Sequence, residues 1–327
     1  MAVDAHASPI TSEVARSRAP GMVSDRIFRI VALLGGLLVL AVLALIAYST
    51  TQKAWPWFKA EGVDAVFSDN WAPSKGHFGA LGLMYGTLLV AAIALVMAVP
   101  VSVGIALFVN EVAPRRLRRP MVSVIDLLAA VPSVVFGLWG IYVLAQPLAD
   151  IYGSVSDAFA GVPVLGDLTA DPARDGKAFF TAGIIVAIMV TPIVTSITRE
   201  VFATTPSAQK EGALALGATR WEMIRGAIFP HSRRGVVAAV IIGFGRAVGE
   251  TIAVALLIGS ANPQVTAKIF GPGNAMAGII ANEFGESSGT HQAALIGLGV
   301  VLLVMTFAVG VVARAVVARA DRRLEIA

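Results

Sequence analysis

The sequence predicts an all-α integral membrane protein with six transmembrane helices, and three observations carry that prediction. The mean hydropathy is +0.79, with 57% hydrophobic and only 14% charged residues, a balance foreign to a water-soluble globule. Apolar runs long enough to cross a ~30 Å hydrocarbon layer recur along the chain. Lysine and arginine gather in alternate connecting segments, the distribution that orients membrane helices. The 32 glycines suit close helix packing in lipid. With no cysteine, structural disulfides and thiolate metal sites are excluded, and no histidine pair has metal-ligand spacing, so no metal site is expected. The net charge of +4 is divided among loops between apolar runs. It marks topology rather than a nucleic-acid surface, and membrane lipid is the expected environment.

Residues 1–26 mix Ala, Ser, Pro and Arg without a sustained period and read as a flexible tail. Arg16, Arg18, Arg26 and Arg29 precede the first span, 30–48. It is long enough to cross, and no small-residue cleavage pattern follows before Trp55-Pro56-Trp57, so an uncleaved helix is expected. In residues 49–76, Trp55, Trp57, Phe58 and Trp71 read as an interfacial belt. The second span, 78–109, is longer than one crossing needs and contains Pro100. A tilted helix, or a span followed by a second helical piece, fits it. Arg115, Arg116, Arg118 and Arg119 then mark a cytoplasmic turn. The third span, 121–148, holds Asp126 near its cytoplasmic end and Pro132-Ser133 about two turns later. Asp126 can cap a helix end, pair with a neighbouring arginine or line a path. Pro132 is expected to kink the helix, with Ser133 helping to satisfy the freed carbonyl. Residues 149–177 form an acidic outer loop. The fourth span, 178–197, carries a second expected kink at Thr191-Pro192; the fifth is 235–259 and the sixth 293–313, followed by a cytoplasmic tail, 319–327. This layout places 18 Lys/Arg inside and 6 outside, with Arg246 in the fifth span, and both termini in the cytoplasm.

The polar segment 199–234 predicts two short helices outside the membrane. Thr205-Pro206 opens the first and Gly217 ends it. Thr219-Arg220-Trp221-Glu222 matches a capping box for the second, whose Trp221, Ile224 and Ile228 share a face before Pro230 ends it. These faces can lie on the bilayer, cover the protein's own helices, or dock another subunit through a surface with Ala208, Gly212 and Ala215. In the fifth span Arg246 and Glu250 are four residues apart, ~6 Å along one helix face, and can pair. Either the pair locks helices together or the arginine faces a path for an anion.

EGALALGATRWEMIRGAIFP resembles the EAA loop of the transmembrane subunits of ABC importers, with Glu211, Ala213, Gly217 and Pro230 at the matching places. Gly212 replaces a small residue of the motif, Ala227 its isoleucine and Phe229 its leucine. GRAVGET at 245–251, GLWG at 137–140 after VPSVVFG, and VPVSVGIALFVNE at 99–111 resemble the phosphate-specific permeases of this family, PstC-type subunits, over roughly residues 27–318. The resemblance implies a type I ABC importer permease fold with short cytoplasmic coupling helices, in the bacterial inner membrane. It also implies a PstA-type second permease, two copies of a PstB-type ATPase and a PstS-type phosphate-binding protein as partners. ATP and Mg2+ then belong to the ATPase. This chain has no GxxxxGK[ST] phosphate loop and is expected to be a non-catalytic subunit that binds no cofactor. Glu211, Gly212, Ala213, Gly217, Trp221 and Pro230 become ATPase-coupling candidates. Arg246, Glu250 and Thr251 become candidates for the path of inorganic phosphate, with Asp126 and Ser133 as path or helix-pairing residues. Arginine's fork of donors suits a tetrahedral oxyanion, and phosphate's remaining proton can donate to a carboxylate that would repel sulfate. A permease for molybdate or sulfate, a channel, and a non-transporting scaffold or sensor are the competing readings.

Overall fold

The computed structural model describes residues 22–324. The expected tail at 1–26 falls outside these up to residue 21, as does the tail at 319–327 beyond residue 324. Six helices among the described residues are long and apolar enough to cross a membrane. Contacts divide the chain into one unit ending at Gln52 and a second beginning at Lys53.

In the first unit the chain is helical, part of α1 (Met22–Glu61), with apolar side chains from Ile27 to Ile46 largely exposed. Thr50 and Thr51 turn their hydroxyls back to the carbonyls of Ile46 and Ala47, each at 2.7 Å, which satisfies them inside the helix as lipid requires.

In the second unit α1 continues to Glu61, well past the expected end at residue 48. Trp57 is therefore not an interfacial residue. It is fully buried, its Nε1 donates to Phe78 O at 3.1 Å, and its ring lies where any side chain at Gly297 would have to go. Trp71 is buried too, edge-on to Phe78, and Trp55 alone of the three tryptophans stays exposed. A two-residue antiparallel pair, β1 (Trp71–Ala72) with β2 (His77–Phe78), is a small departure from the all-helical expectation.

Helix α2 (Leu81–Leu107) runs through Pro100 and ends in a π-type turn, Phe108–Val112. The expected third span is then redrawn. Residues Arg115–Ala129 form a separate helix, α3, with arginines on one side and exposed Leu117, Val124 and Leu128 on another. A helix with a charged face cannot cross hydrocarbon unaccompanied. Pro132, without an N–H, stands before the next helix rather than kinking one. The crossing comprises α4 (Ser133–Trp139), a π-type stretch Gly140–Ala145 and α5 (Gln146–Phe159). Starting later, it ends later, and takes Asp150 and Asp157 from the expected outer loop into its last turns. A short α6 (Leu165–Thr169) follows.

Helix α7 (Phe179–Ala203) continues unbroken through Thr191-Pro192 and forms the centre of the core. It packs on α2 through Gly183, Ala182 and Ala187, while Ser102 Oγ donates across to Thr191 O at 3.1 Å. Small residues and one interhelical hydrogen bond are how helices associate where lipid competes for apolar contact. The remaining elements are α8 (Ser207–Ala215), α9 (Arg220–Met223), a π-type turn Ile224–Ile228, α10 (Phe229–Gly249), α11 (Ile252–Leu257), α12 (Met276–Glu283) and α13 (Gly289–Leu324).

Candidate functional site

Two places gather the candidate residues. The first is the polar segment before α10. Helix α8 ends in a Schellman turn: Gly217 is left-handed at φ 86, its N–H reaches Leu214 O at 3.0 Å, and Ala218 N–H reaches Ala213 O at 3.1 Å. The capping box forms, with Thr219 Oγ1 accepting from Glu222 N–H at 3.3 Å and Glu222 accepting from Thr219 N–H at 2.7 Å. Those bonds from Thr219 stabilise the carboxylate and hold the Glu222 carboxyl below its ordinary range.

Three expectations here are corrected. Thr205 does not cap α8; it is buried and shares a hydrogen bond with Ser232 at 3.3 Å, and Pro206 precedes the helix. Pro230 does not end a helix, because the π-type turn just before it accommodates the missing N–H and the helix runs on into α10. Trp221 does not share the buried face of Ile224 and Ile228. It is 61% exposed, and Leu216 is 92% exposed. Glu211 and Gly212 are exposed beside them and Ala213 is half-buried, so these positions form one surface.

That surface is anchored from beneath. Met223, Ile224 and Ile228 pack with Ala106 of α2 and Phe202 of α7. Lys210 Nζ meets Glu111 Oε1 at 2.6 Å, both side chains largely buried, and Asn110 Nδ2 donates to Arg199 O at 2.7 Å. Asn110, Glu111 and Lys210 were not among the expected site residues. The first two lie in the stretch 99–111 whose resemblance was noted, and only the fold brings Lys210 to them.

The second place is a break in the fifth span. The expected continuous helix 235–259 stops at Gly249 and restarts at Ile252. Arg246 and Glu250 consequently do not share a face or pair: among the described residues no ion pair joins them. Arg246 is exposed in the last turn of α10, where a cation complements the helix dipole. Glu250 is 8% exposed, turned inward toward Thr87, Val90, Val254 and Ala275, with its Oε1 accepting from Ala253 N–H at 3.4 Å at the start of α11. Thr251 donates to Gly249 O at 3.2 Å across the break. Each charge is thus accounted for by the helix end it occupies, and the guanidinium is left open.

GLWG packs against this broken element. A side chain at Gly137 would come within 2.8 Å of Leu256 Cδ1 and 3.1 Å of Ala253 Cα, and one at Gly140 within 2.8 Å of Leu257 Cδ1. Ser133 heads the same helix, half-buried and without the expected hydrogen bond. Asp126 is exposed on α3 with no ion pair among the described residues. Neither forms a hydrogen bond or ion pair with Arg246 among the described residues.

The chain matches the binding-protein-dependent transport system inner membrane component family over residues 98–326, and it belongs to that family. It is 40% identical over 301 residues to the phosphate transport system permease protein PstC of Xylella fastidiosa (strain 9a5c), covering 92% of each chain. It is 42% identical over 307 residues to phosphate transport system permease protein PstC 2 of Mycobacterium tuberculosis, covering 93% of this chain and 94% of that one. The resemblance to PstC-type permeases read from the sequence is borne out by these relatives. Among solved structures, a bacterial ABC transporter involved in the import of the acidic polysaccharide alginate aligns with a TM-score of 0.59 at 18% identity, over 91% of this chain and 98% of that one. That likeness establishes the type I importer permease fold. The protein is a multi-pass membrane permease subunit of an ABC importer.

Proposed function

We propose that this chain is the permease subunit that forms half of the translocation path for inorganic phosphate and couples it to a separate ATPase. The observation that carries the phosphate reading is Arg246: an exposed guanidinium beside a break in a membrane helix, with no ion pair among the described residues. A charge at such a position calls for a partner or a wet path. Non-helical backbone within the membrane is tolerated where it lines a cavity or is buried in protein. The names of the relatives supply the substrate class.

In this reading Arg246 contacts or steers the anion, and Thr251 borders its route. Glu250, buried behind the break, limits through its charge how tightly the anion is held. The exposed Leu216 and Trp221 surface, with Glu211, Gly212, Ala213 and Gly217, docks in a cleft of a PstB-type ATPase. Pro230 positions the start of α10. ATP and Mg2+ act in the ATPase dimer, whose closure displaces α8. The Lys210–Glu111 pair carries that displacement to α2. A PstA-type permease supplies the other half of the path and a PstS-type protein delivers phosphate. The membrane is the bacterial inner membrane, with both termini and residues 199–234 in the cytoplasm.

The test is reconstitution of the complex with its binding protein in liposomes and measurement of ATP-driven uptake of labelled phosphate against excess sulfate and molybdate. Uptake that resists both competitors is expected. An intact, ATP-hydrolysing complex that moves no phosphate would keep the importer architecture and overturn the substrate.

A further inference from the structure

The inward turn of Glu250 leaves a buried carboxylate with little to hold it. Among the described residues none that lines its pocket carries a positive charge, and no water-sized space remains inside. Its hydrogen bond from Ala253 N–H is long, at 3.4 Å. A charge in such a place depends on oriented dipoles where solvent is absent. One set lies within reach, because Ala275 and Ala277 of the same pocket flank the start of α12. The first N–H groups of a helix have no partner within it, and its dipole is positive at that end. Thr87, also in the pocket and 4% exposed, ties this end of α12 to α2. Its Oγ1 donates to Leu83 O at 2.8 Å, which places the proton, and accepts from Met276 N–H at 3.0 Å. Met276 is the first residue of α12. Gly86 permits the approach, since a Cβ there would fall 2.0 Å from Asn274 O. Farther along, Gly278 sits against Ala255 of α11, the helix that restarts after the break.

We infer that Thr87 is a positioning residue for Glu250: its hydroxyl pins the positive end of α12 against the carboxylate and so keeps the negative charge behind the break. This rests on the assignment of Glu250 as the charge that limits how tightly the anion is held. Without the hydroxyl, Met276 N–H loses its acceptor in a buried place, and the start of α12 must shift to find another. The carboxylate then loses the dipole that faces it, and its charge no longer acts from that position. Loss of Thr87 Oγ1 therefore has the same sign as loss of the Glu250 charge. A tether that only held the fold together would lower the amount of assembled complex without altering how uptake depends on phosphate concentration.

The experiment measures ATP-driven uptake against phosphate concentration by the assembled complex in liposomes, with hydrogen exchange over residues 276–283 on the same preparations. Thr87→Val keeps the outline of the side chain and removes the hydroxyl. It should raise exchange in α12 and lower the half-saturation concentration and the maximal rate together, as Glu250→Gln does. T87V/E250Q should match Glu250→Gln alone within about twofold, because the first change acts through the second residue. Thr87→Ser, which keeps the hydroxyl, should return wild-type values. If Thr87→Val does not assemble, Thr87→Cys offers a weak sulfur acceptor in similar volume and should give the same shift at smaller size. An unchanged half-saturation value in either variant, where Glu250→Gln does shift it, would overturn the inference. So would effects that multiply in T87V/E250Q, or a Thr87→Ser complex that behaves like Thr87→Val. No shift in Glu250→Gln itself would instead overturn the reading of Glu250, and raised exchange in Thr87→Val would then leave Thr87 as a tether of α12 alone.

Discussion

Arg246 and Glu250 are separated by one helical turn in the sequence and by a helix end in the structure, and that difference changes which experiment is informative. Had they paired, removing either would strand the other in the membrane, at a cost of about 3–5 kcal/mol. Since each instead occupies its own helix end, Arg246→Gln should leave assembly intact. It should lower phosphate uptake by roughly 10- to 100-fold, the worth of a charge-assisted hydrogen bond of about 1.5–3 kcal/mol. Normal uptake by an assembled Arg246→Gln complex would remove Arg246 from the path. Glu250→Gln keeps an acceptor for Ala253 N–H and removes only the negative charge. Uptake measured against phosphate concentration should then show a lower maximal rate and a lower half-saturation concentration, the signature of an anion held too tightly. An unchanged half-saturation value would make Glu250 a helix cap and nothing more.

At the scale of elements, the polar segment 199–234 transmits motion only if it is rigid, and its rigidity rests on two local devices and one distant one. Gly217 holds a left-handed turn that a side chain would strain, so Gly217→Ala should cost about 1 kcal/mol. Thr219→Ala should cost ~1 kcal/mol through loss of the capping box. Hydrogen exchange over residues 207–228 should rise in both. The distant device is the Lys210–Glu111 pair, which joins α8 to the end of α2. Lys210→Glu should leave ATP hydrolysis largely intact and sever it from uptake, and the exchanged pair K210E/E111K should restore coupling. Failure of that rescue would reassign the pair to folding.

The same segment marks what could be read from sequence. Capping residues and a left-handed glycine act within four residues, so the Thr219–Glu222 box and the Gly217 turn were legible. Pro230 misled because a proline signals a lost hydrogen bond without saying whether a π-type turn will absorb it. Lys210 meeting Glu111 across 99 residues leaves no local trace. In the membrane, composition located the apolar runs, but periodicity did not separate the amphipathic α3 from the crossing after it. The break at Glu250-Thr251 is only weakly signalled in GRAVGET: Gly245 and Gly249 lower helix propensity, but glycine is also frequent inside membrane helices.

For the molecule as a whole, orientation is the property on which the coupling surface and the path both depend. Charge counting places residues 199–234 inside and the turn before α13 outside. Of the three helices between them, α10 and α11 occupy enough length for one crossing, 21 and 6 residues at ~1.5 Å each with a two-residue break, and the short α12 follows. The structure supplies exposed reporters for each side, Leu216 in the coupling surface and Ser288 before α13. Because the chain contains no cysteine, Leu216→Cys and Ser288→Cys need no background removed. A membrane-impermeant maleimide should label the cysteine at 288 in right-side-out vesicles and the cysteine at 216 only after inversion. ATPase added to inverted vesicles should then protect position 216, because a docked subunit covers it. Labelling of both positions from one face would mean that the α10–α11 element does not cross. The two candidate sites would then lie on the same side of the membrane, and no movement of α8 could open a route past Arg246.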